Sequence, residues 1–371
     1  MRMCVTTQSV TAHPSDWERR ASTKRRLLLQ RLATWTCGRG GRMKFGLIGA
    51  GRIGRIHGAN VASRPDARLA FVADQDPSAA NGLAATTGAT VVSAEAMIAD
   101  PDVDAILICT RIDQHARLIE EAANAGKAIF CEKPLDLDVE RARACLSAVK
   151  RAGVPLMIGF NRRFDPNFSA LKARIDRGAI GQVESVSIVS RDPAPPTVAL
   201  SLRSGGLFRD MTIHDLDMVR FFLGEEPIAI FASGASLVDP AFGAAGDVDT
   251  AIVVVETASG KMAHISNSRR ASYGHDQRIE VHGSKGMIRA GNVSETTLEI
   301  AGAKGFTTDP VQNFFLERYA AAFRLELDAF ILSAKKARAP SPSGEDGLRA
   351  QVLADAAALS QKERRRVEVG C

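Results

Sequence analysis

The sequence predicts an α/β protein of two domains, the first on a parallel sheet and the second an α+β unit on an open, mostly antiparallel sheet. Three observations carry this. The string Gly49-Ala50-Gly51-Arg52-Ile53-Gly54 directly follows a short apolar run at 45–48, as strand, tight turn and helix would. From there to about residue 160, short apolar runs alternate with helical stretches, the rhythm of a parallel sheet with helices on both faces. Beyond residue 163, longer alternating runs are joined by turn pairs such as Ser259-Gly260 and Gly283-Ser284, which suit antiparallel neighbours.

The three glycines of the first turn have separate jobs. Gly49 permits the tight turn, Gly51 lets backbone approach a pyrophosphate, and Gly54 lets the following helix pack close on the strand. Arg52 and Ile53 sit between them at the helix N-terminus, where free N–H groups and the helix dipole favour an anion. A second apolar run at 69–73 ends at Asp74, twenty positions after Gly54. Its carboxylate can accept hydrogen bonds from an adenosine ribose, and Gln75 and Asp76 bring no arginine for a 2′-phosphate. The pattern is that of a Rossmann site for NAD rather than NADP.

Pro77 then opens a helix that continues over 79–86, followed by a short strand at 89–92 and a brief helix at 94–99. The apolar strand at 104–110 ends beside the glycine turn, which places Thr110 and His115 to touch the cofactor. For His115 the competing reading is an ordinary hydrogen-bonded surface histidine. The strand at 128–131 runs into Glu132-Lys133-Pro134. Charges at the end of a buried strand are costly unless they face a cleft, so Glu132 and Lys133 are expected at the nicotinamide end. A helix at 138–152 and a strand at 156–160 complete a cofactor domain over 43–161.

The remainder, 162–371, is expected to be a substrate and oligomerisation domain. It has a linking helix at 168–176, strands near 182–191, 228–237, 248–257, 261–269 and 277–283, and a helical tail at 314–336 and 347–362. Helices should cover one face of its sheet and another subunit the other. On a helix over 209–224, Asp210, His214 and Asp217 fall at i, i+4 and i+7, a polar stripe on an otherwise apolar element. Short carboxylates around one imidazole suit proton transfer, with Asp210 orienting His214.

The formal charge of the 371 residues is +6, but residues 1–42 hold nine Lys or Arg against Asp16 and Glu18. The basic character therefore belongs to this segment, read as a disordered extension, with a transit peptide or nucleic-acid arm as the other possibilities. No nucleic-acid partner is expected of the remaining, nearly neutral chain. No apolar run approaches the length of a membrane span. The cysteines Cys4, Cys37, Cys109, Cys131, Cys145 and Cys371 form no C-x-x-C, as in a reduced, cytoplasmic protein without a metal site.

Six segments together carry a family resemblance: GAGRIG at 49–54, CEKP at 131–134, FNRRFDP at 160–166, SRDPAPP at 190–196, SGGLFRDMTIHDLDM at 204–218 and SNSRRASYGHDQRIEVHGSKG at 266–286. They resemble the glucose-fructose oxidoreductase and inositol dehydrogenase family, the last three its inositol branch. The resemblance runs from about residue 43 to near the C-terminus. It implies oxidation of the axial hydroxyl of myo-inositol by NAD to the 2-keto sugar, in a homo-oligomer that is a tetramer. It also implies that Lys133, Asp210 and His214 form the catalytic group, and that Arg162, Asp192, Asp217 and Tyr273 line the polyol pocket beside Lys133 and His214. His214 would take the hydroxyl proton and Lys133 would hold the reacting oxygen. Two features depart from the family: Arg111 where proline is usual, and the segment 197–203, which lacks the expected aromatic and lysine residues. The alternatives are a dehydrogenase of scyllo-inositol or an aldose, and an NAD-binding sensor without turnover.

Overall fold

The computed structural model describes residues 42–336 and 338–370. The expected basic extension, apart from Arg42, lies outside the described residues, as do Cys4, Cys37 and Cys371. Strands β1 (Met43–Ile48), β2 (Ala67–Ala73), β3 (Thr90–Val91), β4 (Ala105–Ile108), β5 (Ala128–Glu132) and β6 (Leu156–Gly159) form a sheet in the order β3-β2-β1-β4-β5-β6. All neighbours are parallel. The strands read as apolar throughout because helices cover both faces, and all four residues of β4 are buried. The chain winds outward from β1 through β2 to β3, then returns to β4 on the other side. A crevice therefore opens beyond the carboxyl ends of β1 and β4.

The glycine turn fills the near side of that crevice. Gly49 has φ +100°, and a Cβ there would lie 2.5 Å from the Cys109 backbone. A Cβ on Gly54 would come within 1.8 Å of the Gly49 carbonyl oxygen, so helix Arg52–Ala62 can begin here only on glycine. Gly54→Ala should cost at least ~2 kcal/mol of stability through overpacking against backbone. Urea unfolding would show it as a lower midpoint at unchanged slope.

The second sheet contains β7 (Val183–Arg191), β8 (Pro227–Ala235), β9 (Thr250–Thr257), β10 (Met262–Ser268), β11 (Asp276–Gly283) and β12 (Gly286–Ala290). The hairpin β13 (Glu299–Gly302) and β14 (Gly305–Thr308) stands apart, and β15 (Val367–Glu368) closes the order β12-β11-β7-β10-β9-β8-β15. The sheet is antiparallel except for the β7–β10 pair. Alternate residues such as Val186 and Ile188 point into the core, under helices Ile213–Leu223 and Gly344–Glu363. On the other face Phe231, Ile252 and Met262 remain 41%, 48% and 52% exposed.

Helix Ala320–Lys336 returns to the first sheet. Its Leu327, Phe330 and Ile331 join Phe45, Leu47 and Phe130 in one buried cluster, with the Phe330 and Phe130 rings 5.8 Å apart edge to face. An element of the tail thus packs on the first sheet and on helix Arg52–Ala62. The helix expected over 209–224 starts as a wide π turn, Phe208–Thr212, before becoming the α-helix Ile213–Leu223. Gly224, at φ +63°, ends it.

Candidate active site

A cleft of about 980 Å³ lies beyond the β1 and β4 ends, lined by Gly49, Gly51, Ile53, Asp74, Thr110, His115, Glu132, Lys133 and Asp210. A Cβ on Gly51 would meet nothing within 4 Å, so the turn presents bare backbone to open space, as a pyrophosphate requires. Asp74 braces the turn by accepting from Ala50 N at 2.5 Å and from Asp76 N at 2.8 Å. Each oxygen keeps a lone pair for a ribose hydroxyl. The same lining holds Gln75, Ser93 and Glu95, with Arg111 and Arg117 further along it. Arg52 is exposed at the helix start, its guanidinium 5.7 Å from the Phe314 ring. These residues fit NAD.

His115 is 1% exposed, and burial lowers its pKa. Its Nδ1 lies 2.7 Å from the Pro134 carbonyl and its Nε2 3.0 Å from the Thr110 carbonyl. A neutral imidazole can donate to only one of these two carbonyls at a time, and the ring lines the cleft wall between them. The competing reading, an ordinary surface histidine, fails because the helix His115–Asn124 buries this end of itself.

Lys133 stands at the end of β5. Its ammonium donates to the Asp210 backbone carbonyl at 2.7 Å and lies 3.3 Å from Asp210 Oδ1. Asp210 Oδ2 is 3.3 Å from Arg269, which is 1% exposed. Burial would raise the Asp210 pKa, yet Lys133 and Arg269 together hold it below the ordinary carboxylate range. The carboxylate therefore serves Lys133 and does not orient His214, as the i, i+4 spacing had suggested. His214 Nδ1 is buried with no partner among the described residues, and Phe160 stacks edge-on at 5.9 Å. Burial, then the charges of Lys133 and Arg162, push the His214 pKa well down.

The polyol-pocket candidates divide. Arg162 is buried, ion-paired with Asp215, 3.2 Å from Ser190 Oγ and 5.8 Å from the Tyr319 ring centre. Asp192 is 3.5 Å from His275 Nε2. Like Arg162, Asp192 and His214, Tyr273 is not among the residues lining the cleft; it is half-exposed, donating to Asp276 at 2.6 Å and accepting from Arg191 at 2.9 Å. Asp217 does not reach the cleft. Its two oxygens accept from Arg163 at 2.6 and 2.8 Å, in a cluster with Arg220 and Asp346. The π turn takes up about one extra residue and so turns the whole following α-helix relative to Asp210, while His214 and Asp217 keep their i, i+3 relation within it. Asp215, missed by a uniform α period, consequently meets Arg162 and Asn267. Arg269 was also missed, although its place just beyond β10 gave a weak signal of a strand-end charge.

A cofactor crevice of this kind, with a strand-end lysine gripped by a carboxylate from the second domain, defines a two-domain NAD-dependent oxidoreductase. Comparison with known proteins makes this specific. Residues 43–160 match the sequence model of an oxidoreductase family's NAD-binding Rossmann fold, and residues 172–369 that of the same family's C-terminal alpha/beta domain. The chain is 54% identical over 327 residues to inositol 2-dehydrogenase of Rhizobium meliloti (strain 1021), covering 88% of this chain and 99% of the relative. It is 45% identical to myo-inositol 2-dehydrogenase of Thermotoga maritima, with 88% and 98% covered. A crystal structure of scyllo-inositol dehydrogenase from Lactobacillus casei with bound NAD(H) and scyllo-inositol superposes at TM-score 0.82 and 30% identity, over 88% of this chain and 99% of that one. The chain belongs to the glucose-fructose oxidoreductase and inositol dehydrogenase family.

Proposed function

We propose that this protein oxidises myo-inositol at its axial hydroxyl to 2-keto-myo-inositol, with NAD as the hydride acceptor. The observation that carries the reading is the Lys133 ammonium, fixed on the Asp210 carbonyl in the same cleft that the glycine turn lines. When bound, NAD takes the hydride. The chain's own residues do the rest. Neutral His214 accepts the hydroxyl proton, Lys133 holds the reacting oxygen and stabilises the charge that develops on it, and Asp210 with Arg269 fixes Lys133. Arg162 and Asp192 are the polar groups proposed to hold the other hydroxyls. The relatives named for myo-inositol support the substrate, and the Asp74 carboxylate at the ribose position supports NAD over NADP.

The test is NADH formation followed by absorbance on a panel of myo-inositol, scyllo-inositol and aldoses. Myo-inositol is expected to show the highest kcat/KM, and NAD to be preferred to NADP. A clear preference for scyllo-inositol or an aldose would reassign the substrate, and no turnover with any of them would favour the sensor reading. Cys109, Cys131 and Cys145 are free, which supports a reducing, cytoplasmic setting. Among the described residues no helix is long and apolar enough to cross a membrane. The half-apolar outer face of the second sheet supports a homo-oligomer, with four subunits expected by light scattering.

A further inference from the structure

Behind the cleft, the proposed mechanism leaves a set of buried polar groups unused. His57, on helix Arg52–Ala62, is 0% exposed and its Nε2 lies 2.8 Å from Glu132 Oε1. Glu132 lines the cleft beside Lys133, in space kept for it by Gly159, where a Cβ would come within 2.9 Å of its carboxylate. Against His57 packs helix Ala320–Lys336, through the Phe323 ring at 5.7 Å. One turn further along the same helix face is Glu326, 0% exposed. His57 Nδ1, Asn60 Nδ2 and both Glu326 carboxyl oxygens are buried without a protein partner among the described residues.

A buried carboxyl with neither oxygen satisfied is rare, and so are four unmatched polar atoms on two facing helix surfaces. Their chemistry is complementary: an imidazole nitrogen, an amide N–H₂ and a carboxyl. Such groups are commonly joined by internal water. Burial, and then the charge of Glu132, raise the Glu326 pKa well above its usual range, so it is held as the neutral acid and can donate as well as accept. The surrounding charges do not alter this. Cys109 faces it from the first sheet, Arg64 is taken by Asp66 and Asp328, and Arg162 and Arg163 in the turn packed on the same helix are taken by Asp215 and Asp217.

We propose that Glu326 is a positioning residue for the cofactor site: carried on a helix of the second domain, it completes with His57 and Asn60 a buried, water-bridged network that fixes the Glu132 carboxylate at the nicotinamide end of the cleft. This rests on the reading of the cleft as an NAD site. The network also ties docking of the Ala320–Lys336 helix to cofactor affinity, since losing either side frees Glu132 to turn.

The full-length wild type, Glu326→Gln and Glu326→Leu test it by NAD calorimetry, infrared spectroscopy and thermal unfolding against pH. Wild type should show a protonated-carboxyl stretch at neutral pH that Glu326→Gln lacks. Glu326→Leu should bind NAD about 10-fold more weakly, the effect of losing a hydrogen bond to a charged group's support, and raise KM for NAD while leaving kcat within about 2-fold. Glu326→Gln, which still donates and accepts, should stay within about 3-fold of wild type in NAD affinity. The stability arm has a definite sign. The unfolded chain releases the Glu326 proton above the ordinary glutamate range and the folded chain keeps it, so wild-type stability falls as pH rises through that window and the Glu326→Gln loss is smaller. If Glu326→Leu does not fold, His57→Gln takes its place in the affinity arm. Unchanged NAD affinity in that arm, or a wild type without the carboxyl stretch, overturns the proposal. A wild type that binds no NAD would instead overturn the cofactor reading on which it rests.

Discussion

Lys133→Met is expected to lower kcat for polyol oxidation by about 10²–10³-fold, the usual cost of removing one preorganised donor from a developing oxyanion, with NAD affinity little changed. Methionine fills the space of the stem, and Arg269 remains to pair with Asp210 when the ammonium is lost. The Lys133 stem lies along the cleft wall and its ammonium is held by a backbone carbonyl and one carboxylate oxygen of Asp210. That arrangement fixes the ammonium at little reorganisation cost during reaction. Arginine should not restore the rate, because a planar fork cannot occupy the position of a compact ammonium against one carbonyl. Steady-state kinetics with calorimetry of NAD binding separate the two effects, and an unchanged kcat would return Lys133 to the status of an ordinary cleft-lining charge.

The second large effect concerns His214. Replacement by asparagine should lower kcat by about 10²–10⁴-fold, the range for loss of a general base. The accompanying pH profile is the sharper test. A base works in its neutral form, and burial with the nearby charges of Lys133 and Arg162 moves the His214 pKa well below the ordinary 6.5. Protonation therefore sets in only at lower pH, and kcat/KM should hold level from neutrality down through 6.5 before it falls. An acid limb of kcat/KM centred at or above 6.5 would show that a group other than His214 titrates in the free enzyme. The depressed pKa also makes His214 a modest base, so the fixed positive charge of Lys133 must carry much of the barrier lowering, and the two substitutions should be less than additive.

Local pattern accounts for a large part of the architecture. The glycine turn, the apolar parallel strands and the carboxylate after β2 are readable because each depends on neighbours within a few dozen residues. The alternating runs of the second domain gave its antiparallel character by the same logic, since a two-residue period reports one buried face. The short β13–β14 hairpin was not readable, because its residues are exposed on both faces and carry no period. The cleft itself was legible only as a set of strand ends and helix stripes. Asp210 illustrates the limit: its spacing from His214 suggested a dyad, whereas its partners Lys133 and Arg269 are 77 and 59 residues away.

The sequence by itself determined the order of the elements in the first domain, the type of each sheet and the bare-backbone turn that faces the cofactor crevice, because propensity, period and glycine sterics act along the chain. Only the tertiary structure decided which charges meet. A π turn that shifts helical phase gave Arg162 to Asp215 and turned Asp217 toward Arg163, and a helix returning from the tail set Glu326 behind Glu132. Those outcomes depend on burial and on contacts between residues far apart in the chain, and electrostatic pairing at such distances leaves no local trace from which it could be read.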